Sequence, residues 1–472
     1  MLNLKRCVFI ILIVTVIEKV SSDKHFTYDE SIYYTFNHIE SQSRNLLCVI
    51  FGFCSAVPEQ ISTPAHPMLN VIFQWKQLEF DYADVSQRQR AIESGTFAVG
   101  TFGPIDVEVY YSSRPSNNRI FITVPRFTTG VPASLGTVTN SHLDGNPIIK
   151  PYPSWSWHQR LDECQPQRLV SVFRVKVDEC NRLWVLDSGK IGTELICQPQ
   201  ILIFDPETDN LVHRYEFPPS VLSPISLLIT PAVDVRDADL GCGDTFVYIA
   251  DVKGFGIVVY DLRNDKSWRA VHRSMYPFPS FGFYNIAGES FELMDGIFGL
   301  GLSPYRSGED RKLFYHALAS PTENWIYTSH LRNYSIFANN SQSPSQIFHT
   351  YSGQRKTQSA AEAIDSNGIM FFGLLSDTQI ACWNIEIEYH PKNFDVVASD
   401  VTSLQFPSGI KVIKNNEGID ELWVMTSRFQ KIANGNLNPN ETNFRILAGR
   451  VDDLLVGKKC KRKQRIDLET SK

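Results

Sequence analysis

Residues 181–189, NRLWVLDSG, contain the pattern that decides the fold: a turn residue, a short alternating apolar strand and a polar corner. The pattern occurs six times, starting at residues 118, 181, 244, 311, 367 and 420, and its second residues lie 63, 63, 67, 56 and 53 residues apart. Another extended stretch precedes each copy, and a third follows most of them. Such runs bounded by Gly, Asn, Asp and Pro indicate strands, whereas helical periodicity is weak and is best over residues 85–94.

Repeated units of three or four antiparallel strands predict an all-β fold, here a six-bladed β-propeller with a central channel. Stacking the units around an axis covers the faces and edges that an isolated blade would expose. We assign residues 70–457 to a single propeller domain. Residues 458–472 are a basic C-terminal tail, which is either solvated or in contact with an anionic surface.

The same geometry predicts a functional face. In each unit the inner strand runs down the axis and the second strand runs back in the opposite direction. The corner after the second strand therefore lies on the same face of the propeller in all six units. These corners are residues 126–129, 187–189, 251–253, 320–322, 376–378 and 427–429. Polar groups that converge at the mouth of an apolar channel are the usual sign of a ligand site.

Composition and motifs exclude several classes of function. The chain of 472 residues has a net charge of −6, which argues against nucleic acid as the main partner. HExxH, GxSxG, P-loop and GxGxxG motifs are absent, so zinc proteolysis, serine hydrolysis and nucleotide binding lose support. We predict no cofactor and no metal.

Residues 1–22 have the features of a secretory signal peptide, with Lys5 and Arg6 before a short apolar run. Residues 44–56 repeat these features, so an alternative signal ends near residue 56; residues 23–69 are otherwise an N-terminal extension. No other segment has the roughly 20 apolar residues that a membrane span needs. We therefore predict a secreted, extracellular protein without a membrane span. Three glycosylation sequons agree with export: Asn333, Asn339 and Asn440.

The nine cysteines indicate disulfide bonds rather than metal ligands, because no CxxC pair occurs and export is predicted. Cys7 leaves with the signal peptide, and Cys48 and Cys54 are removed or retained together. An even set remains in the propeller: Cys164, Cys180, Cys197, Cys242, Cys382 and Cys460. Spacing alone does not choose among the possible pairings.

Histidines are weaker candidates for function. His142, His158 and His316 are scattered and lack paired ligand spacing. A hydrogen-bonded structural role is the more common one for such residues.

Clustered carboxylates raise the question of calcium. Residues 234–239, DVRDAD, lack the glycine and terminal Glu of a helix–loop–helix site and predict a solvated turn. Glu108, Asp234 and Glu362 are the few carboxylates on inner strands that an axial calcium ion would need. A calcium-dependent hydrolase is therefore a weak alternative.

Several long motifs resemble the insect Yellow and major royal jelly protein family. They are SVFRVKVDECNRLWVLDSGKIG (171–192), RIFITVPRFTTGVPASLGTV (119–138), FVYIADVKGFGIVVYDL (246–262) and ELWVMTSRFQK (421–431). The resemblance extends over about residues 70–460. It implies a secreted six-bladed propeller, which agrees with the repeats.

The resemblance also implies a function. Members of the family act in cuticle pigmentation and the melanin pathway, some as dopachrome-converting tautomerases, and others are nutritive secretions. Relatives in biting-fly saliva bind biogenic amines such as serotonin in the central channel. Their polar–Arg–Phe corner corresponds here to Ser427, Arg428 and Phe429, with Ser in place of the usual Asn. Together with Phe127 on the first corner, these are the predicted ligand-binding residues.

Two hypotheses from different classes follow, and the sequence leaves both open. As a dopachrome tautomerase, the protein needs an acid/base group at the channel mouth, for which Asp187, Asp251 and Asp377 are candidates by location. As a non-enzymatic protein, it binds a small aromatic amine or catechol such as serotonin or dopamine in the same channel. A nutritive or structural secreted glycoprotein is the third reading, and the oligomeric state is open.

Overall fold

The six repeated units form the blades of a ring. A computed structural model describes residues 69–161, 163–338, 340–341 and 344–461. In these residues, six sheets of four or five strands follow one another and form a six-bladed β-propeller, as predicted. The predicted signal peptide, the extension up to residue 68 with Cys48 and Cys54, Asn339 and residues 462–472 of the tail lie outside the described residues.

The described residues contain these strands, in chain order: β1 (Asn70–Trp75), β2 (Glu79–Phe80), β3 (Asp106–Tyr110), β4 (Arg119–Thr123), β5 (Leu135–Leu143), β6 (Asn146–Pro151), β7 (Val172–Val177), β8 (Leu183–Asp187), β9 (Lys190–Ile191), β10 (Glu194–Leu195), β11 (Gln200–Asp205), β12 (Asn210–Glu216), β13 (Leu228–Val235), β14 (Thr245–Asp251), β15 (Gly256–Asp261), β16 (Lys266–Ala270), β17 (Phe283–Ile286), β18 (Glu289–Glu292), β19 (Ile297–Leu302), β20 (Lys312–Ala317), β21 (Thr322–Tyr327), β22 (His349–Gln354), β23 (Glu362–Ile364), β24 (Ile369–Leu374), β25 (Gln379–Asn384), β26 (Asp395–Ser399), β27 (Phe406–Lys414), β28 (Asp420–Ser427) and β29 (Phe444–Arg450).

Short helices connect the strands: α1 (Val85–Glu93), α2 (Thr328–Arg332), α3 (Tyr334–Phe337), α4 (Phe429–Ala433) and α5 (Val451–Leu454). The first of them coincides with the weak helical signal over residues 85–94. Within the described ranges, no helix is long and apolar enough to cross a membrane.

Each blade is an antiparallel sheet whose first strand lies at the axis. From the axis outward the blades are β3-β4-β5-β6, β7-β8-β11-β12, β13-β14-β15-β16, β19-β20-β21-β22, β23-β24-β25-β26 and β27-β28-β29-β1. The six repeat copies are the second strands, as the repeat analysis predicted. The inner strands contact one another in chain order, and β27 returns to β3, so that they enclose a channel.

The second strands are mostly buried because neighbouring blades cover both of their faces. Every residue of β8 (LWVLD) and of β14 (TFVYIAD) is buried. Large aromatic side chains fill the space between blades, and Trp184, Tyr248 and Trp383 are fully enclosed. This need to fill wedge-shaped gaps between twisted sheets accounts for the aromatic content of the repeats.

The ring closes because the first strand of the chain completes the last blade. β1 pairs antiparallel with β29, and Trp75 lies opposite Phe444. The Trp75 side chain is buried, and its Nε1 donates a hydrogen bond of 2.8 Å to the carbonyl oxygen of Pro147 in β6. β1 thus joins the last blade to the first.

All six propeller cysteines form disulfide bonds. Cys164 pairs with Cys197 beside the second blade, and Cys180 with Cys242 between the turns of the second and third blades. Cys382 of β25 pairs with Cys460, which follows α5. The Cys180–Cys242 bond joins two blades, and the Cys382–Cys460 bond ties the segment after the sixth blade to the fifth, so both oppose separation of the ring.

Replacement of Trp75 tests ring closure. We expect Trp75→Ala to lower the free energy of unfolding by about 3–5 kcal/mol, because it leaves a cavity between two blades. Val71→Ala is the matched control, since Val71 is 48% exposed on the same strand and should cost less than about 1 kcal/mol. Urea unfolding followed by tryptophan fluorescence measures both, and equal losses would contradict this role of Trp75.

Candidate functional site

The predicted corners lie at one end of the channel. Each follows the second strand of its blade, and all six second strands run in the same direction relative to the axis. We call this end the mouth. The inner strands are antiparallel to the second strands, so they begin at the mouth and end at the opposite face.

The mouth brings together two predicted aromatic residues from opposite ends of the sequence. The rings of Phe127 and Phe429 are 6.1 Å apart, and Phe173 and Phe406 contact them at 5.4 and 4.7 Å respectively. A pocket of about 260 Å³ lies between the first and last corners. We call it the mouth pocket, and it is lined by Thr101, Phe102, Phe127, Thr128, Phe429, Ile432 and Ala433.

The other two predicted ligand-binding residues do not line this pocket. Ser427 is buried, and its hydroxyl has no hydrogen-bond partner. Arg428 forms an ion pair with Glu441, which commits its charge to the same corner. Their role in ligand binding stays a prediction.

A hairpin covers part of the mouth. β17 and β18 follow the third blade, yet Glu289 at their tip bonds to Lys431 of α4 (3.2 Å) and to Asn436 Nδ2 (3.0 Å), which lie between β28 and β29 of the sixth blade. Phe291 of β18 contacts Phe429 at 5.8 Å. The hairpin therefore crosses the mouth and forms one wall of its aromatic cluster.

Two of the predicted catalytic carboxylates hold corners in place. Asp187 accepts backbone N–H bonds from Val170, Ser171 and Gly189 at 2.8–3.0 Å. Asp251 is equivalent in the third blade, where it accepts from the backbone N–H of Leu227 and from Arg269. Both are fully buried. These contacts give both carboxylates a structural role at their corners.

Asp377, the third candidate, differs from the other two. It is exposed on its corner, and the structure places it neither in the mouth pocket nor in the channel. The mouth thus does not assemble Asp187, Asp251 and Asp377 into one site, and a catalytic role for each stays a prediction.

A second space, which we call the inner cavity, lies in the channel itself. Its volume is about 190 Å³, and residues of all six inner strands line it. Arg174 spans the channel, donating to Thr230 Oγ1 at 3.1 Å and to the carbonyl oxygen of Ser408 at 2.6 Å. Its guanidinium stacks on Phe298 at 4.5 Å. Burial lowers the pKa of Arg174 to about 10, although the negative charge of Asp106 acts to raise it.

The cavity extends from Arg174 toward the face opposite the mouth, and its walls are charged. Lys411 Nζ lies 3.0 Å from Asp106 Oδ2 and 3.7 Å from Glu108 Oε2. Lys176 is 3.6 Å from the other Glu108 oxygen. Burial raises the pKa of Glu108, and the two lysines oppose that shift.

The carboxylates considered for axial calcium do not converge on one point. Glu108 faces the two lysines, whereas Asp234 accepts from Arg311 at 2.8 Å and from Tyr248 Oη at 3.0 Å. Glu362 lies beside His316 instead. Each carboxylate thus has its own partners, which gives no support to the calcium-dependent hydrolase. The predicted solvated turn covers only part of the DVRDAD segment: Asp234 and Val235 belong to β13 and are buried, and a single 3₁₀ turn follows at Ala238–Leu240.

His316 stands at the centre of a buried charged cluster. Its Nδ1 is 3.1 Å from Glu323 Oε2 and 3.0 Å from Glu362 Oε2, and its Nε2 is 3.1 Å from the carbonyl oxygen of Ser359. Arg355 donates to the same Glu323 oxygen at 2.7 Å. Among the described residues, His316, Glu323 and Glu362 are the one group with the spacing of metal ligands. His316 and Arg355 already face the carboxylates of Glu323 and Glu362, however, so the cluster is balanced in charge without a metal ion.

The other two histidine candidates have ordinary structural surroundings. His158 is buried between Ser134 N and the carbonyl oxygen of Tyr152, and burial together with Arg126 lowers its pKa to about 3. His142 is exposed and contacts the backbone of Asn140.

Sequence reasoning named His316 and Glu362 separately and did not predict that they meet. They lie on different blades, 46 positions apart by their numbers, and only the packing of β20 against β23 across β19 places them together. A signal was present, because each is a single polar residue inside an otherwise apolar strand, FYHALA and AAEAI.

These features define a class: a disulfide-bonded six-bladed β-propeller with an aromatic mouth and a charged inner cavity. The major royal jelly protein family matches residues 170–460, and the chain belongs to this family. Major royal jelly protein 9 of Apis mellifera is 35% identical over 410 residues, covering 83% of this chain and 90% of the relative.

Two other relatives carry names that refer to pigment chemistry or coloration. Dopaminechrome tautomerase of Drosophila melanogaster is 33% identical over 401 residues, which cover 83% of this chain and 84% of that protein. Protein yellow of Drosophila subobscura is 32% identical over 403 residues, which cover 82% and 66%.

The buried corner carboxylate gives a testable prediction. We expect Asp187→Ala to lower the free energy of unfolding by about 3 kcal/mol or more, because three backbone N–H groups lose their acceptor. Asp377→Ala, at an exposed corner, should change it by less than about 0.5 kcal/mol. Urea denaturation measures the free energy of unfolding of both variants. An Asp187→Ala variant as stable as the wild type would contradict the structural role of Asp187 at its corner.

Proposed function

We propose that this chain is a secreted protein of the melanin pathway that binds a catechol-derived aminochrome and converts it to its dihydroxyindole tautomer. The observation that carries the proposal is the aromatic mouth, where Phe127 and Phe429 flank a pocket large enough for one bicyclic ring. The relative named dopaminechrome tautomerase supports the reaction class. Three disulfide bonds and exposed Asn333 and Asn440 sequons support export.

The reaction is an isomerisation and needs no oxidant. One C–H bond at each of the two saturated carbons of the five-membered ring breaks, the electron pairs move into the ring system, and both quinone oxygens end as hydroxyls. The protein must therefore hold the ring, accept protons from carbon and let protons be delivered to the oxygens. Aromatic side chains supply the first of these by stacking.

A non-enzymatic binder is the second candidate, and the lining of the mouth pocket favours it. The pocket is bordered by phenylalanine, threonine, isoleucine and alanine side chains, none of which titrates near neutral pH. A ring held there alone would meet no acid or base. Catalysis therefore needs an acid or base from outside the mouth pocket, and the inner cavity holds carboxylates that could serve.

Two measurements decide between the candidates. Purified protein is incubated with dopaminechrome or dopachrome while the visible absorbance is followed, and dopamine and serotonin are titrated by calorimetry. Acceleration over the uncatalysed decay supports the enzyme. Heat of binding without faster absorbance decay supports the binder. The absence of both faster decay and heat of binding would support a nutritive or structural role.

The mouth aromatics should matter for affinity. We expect Phe429→Ala and Phe127→Ala each to weaken binding of an aromatic amine about fivefold to tenfold, because a stacking partner is lost. Tyr305→Ala is the control, since Tyr305 is exposed on the loop after β19, at the opposite face. Unchanged affinity in both phenylalanine variants would place the ligand elsewhere.

A further inference from the structure

Glu362 and Glu108 are the two buried carboxylates of the inner cavity with no hydrogen bond to either oxygen, and of the two only Glu362 has no lysine or arginine of the described residues within ion-pair distance. Glu362 is the first residue of β23, its side chain is fully buried, and it lines the cavity. Neither of its oxygens has a geometrically proper hydrogen bond, although Oε2 is 3.0 Å from His316 Nδ1. Oε1 lies beside Gly301 of β19, which also lines the cavity. A buried carboxylate with a free oxygen costs stability, so it calls for a functional explanation.

His316 and Glu362 form a pair that shares one proton. The Ser359 carbonyl can only accept, so His316 Nε2, 3.1 Å away, carries a hydrogen. His316 Nδ1 faces carboxylate oxygens of Glu323 and Glu362, which accept as well unless one is protonated. A proton therefore lies between Nδ1 and the carboxylates, and the pair holds one proton that either member can carry.

The surroundings direct that proton toward Glu362. Arg355 donates to Glu323 at 2.7 Å and to Tyr389 Oη at the same distance, which stabilises Glu323 in its charged form. No cation other than His316 lies within ion-pair distance of Glu362 among the described residues. Glu362 is thus the member of the cluster that exchanges a proton most easily.

The pKa directions agree with this arrangement. Burial raises the pKa of Glu362, and repulsion from Glu323 adds to the shift, while His316 and Arg355 oppose it. Burial and Arg355 disfavour the His316 cation, but Glu362 and Glu323 outweigh them, so the pKa of His316 is raised. A carboxylate whose pKa is raised is a stronger base than an ordinary carboxylate, which suits it to proton abstraction from carbon.

The backbone is shaped to admit this pair. Gly299 of β19 lies opposite His316 of β20, and a Cβ at Gly299 would come within 2.4 Å of His316 Cε1. The imidazole therefore fits only because the inner strand has no side chain at that position. The ring in turn reaches between the fourth and fifth blades to Glu362.

We propose that Glu362 is the catalytic base of the aminochrome isomerisation, acting in the inner cavity, and that His316 is the positioning residue that sets its protonation. This inference rests on the proposed function. The proton of a first C–H bond of the five-membered ring passes to Glu362 Oε1, the electron pair enters the ring, and water protonates one quinone oxygen, which gives a quinone methide. Glu362 returns its proton to water, a C–H bond of the second saturated carbon then breaks in the same way, and the second oxygen is protonated. Two C–H bonds are thus exchanged for two O–H bonds, and atoms and electrons balance.

The test compares Glu362→Gln with the wild type and with Glu79→Gln. Glu79 is equally buried but pairs with Arg88 beside the first blade, away from the channel. With dopaminechrome as probe, we expect Glu362→Gln to lower kcat about 100-fold or more and to leave dopamine affinity within about twofold. Glu79→Gln should retain the wild-type rate.

The pH profile tests the role of His316. The base acts as a carboxylate, so kcat should fall as pH decreases through the pKa of Glu362, and this acid limb should be absent in Glu362→Gln. Glu323 and Arg355 face the pair from the neighbouring strands and remain unchanged in the His316→Asn variant. Because that variant loses the cation that favours the carboxylate, its acid limb should move to higher pH.

The outcomes separate the two proposals. A wild type that does not accelerate aminochrome decay would overturn the proposed function. An active wild type with a Glu362→Gln variant within threefold of its rate would overturn this inference alone. If Glu362→Gln fails to fold, the test uses Glu362→Asp, which keeps the carboxylate. We expect this variant to fold, to have a lower kcat because the carboxylate is displaced, and to retain the acid limb of the pH profile. A divalent metal retained in equimolar amount by the wild type and lost in Glu362→Gln would also overturn it.

Discussion

Coverage of both faces of every blade is the constraint on which this structure depends, and the pairing of β1 with β29 satisfies it. Without that pairing the sixth blade lacks its outer strand, and the Trp75 bond to Pro147 that joins it to the first blade is lost. The inner strands can then no longer hold a fixed ring. Two disulfide bonds act in the same direction, because one joins the second and third blades and the other ties the segment after the sixth blade to the fifth.

A closed ring turns polar residues of the inner strands toward a common space. Arg174 spans that space, so the channel has an aromatic mouth on one side and a charged cavity on the other. The two spaces differ in what they offer to a ligand. The mouth pocket supplies aromatic surface without titrating groups, whereas the inner cavity is lined by carboxylates, by lysines and by Glu362 of the His316 cluster. Binding and proton transfer are thus separable properties of one channel.

The sequence reading was accurate wherever the signal was local and repeated. Alternation in six copies located the second strands, and the weak helical run was α1. The sequence was less informative about the roles of individual residues. Asp187 and Asp251 have the residue type and location of acid/base groups, yet each accepts backbone N–H bonds at a corner. That distinction depends on whether a neighbouring chain segment folds back onto the carboxylate, which no short pattern encodes.

The sequence by itself determined the number of blades, their strand order and the family, because these follow from hydrophobic periodicity and long motifs. Only the tertiary structure decided which cysteines pair, that β1 closes the ring, and that Phe127 meets Phe429. It also decided that His316 meets Glu362. The physical reason is shared: each of these contacts joins residues of different blades or loops, and their distances are set by the stacking of whole sheets rather than by neighbours along the chain.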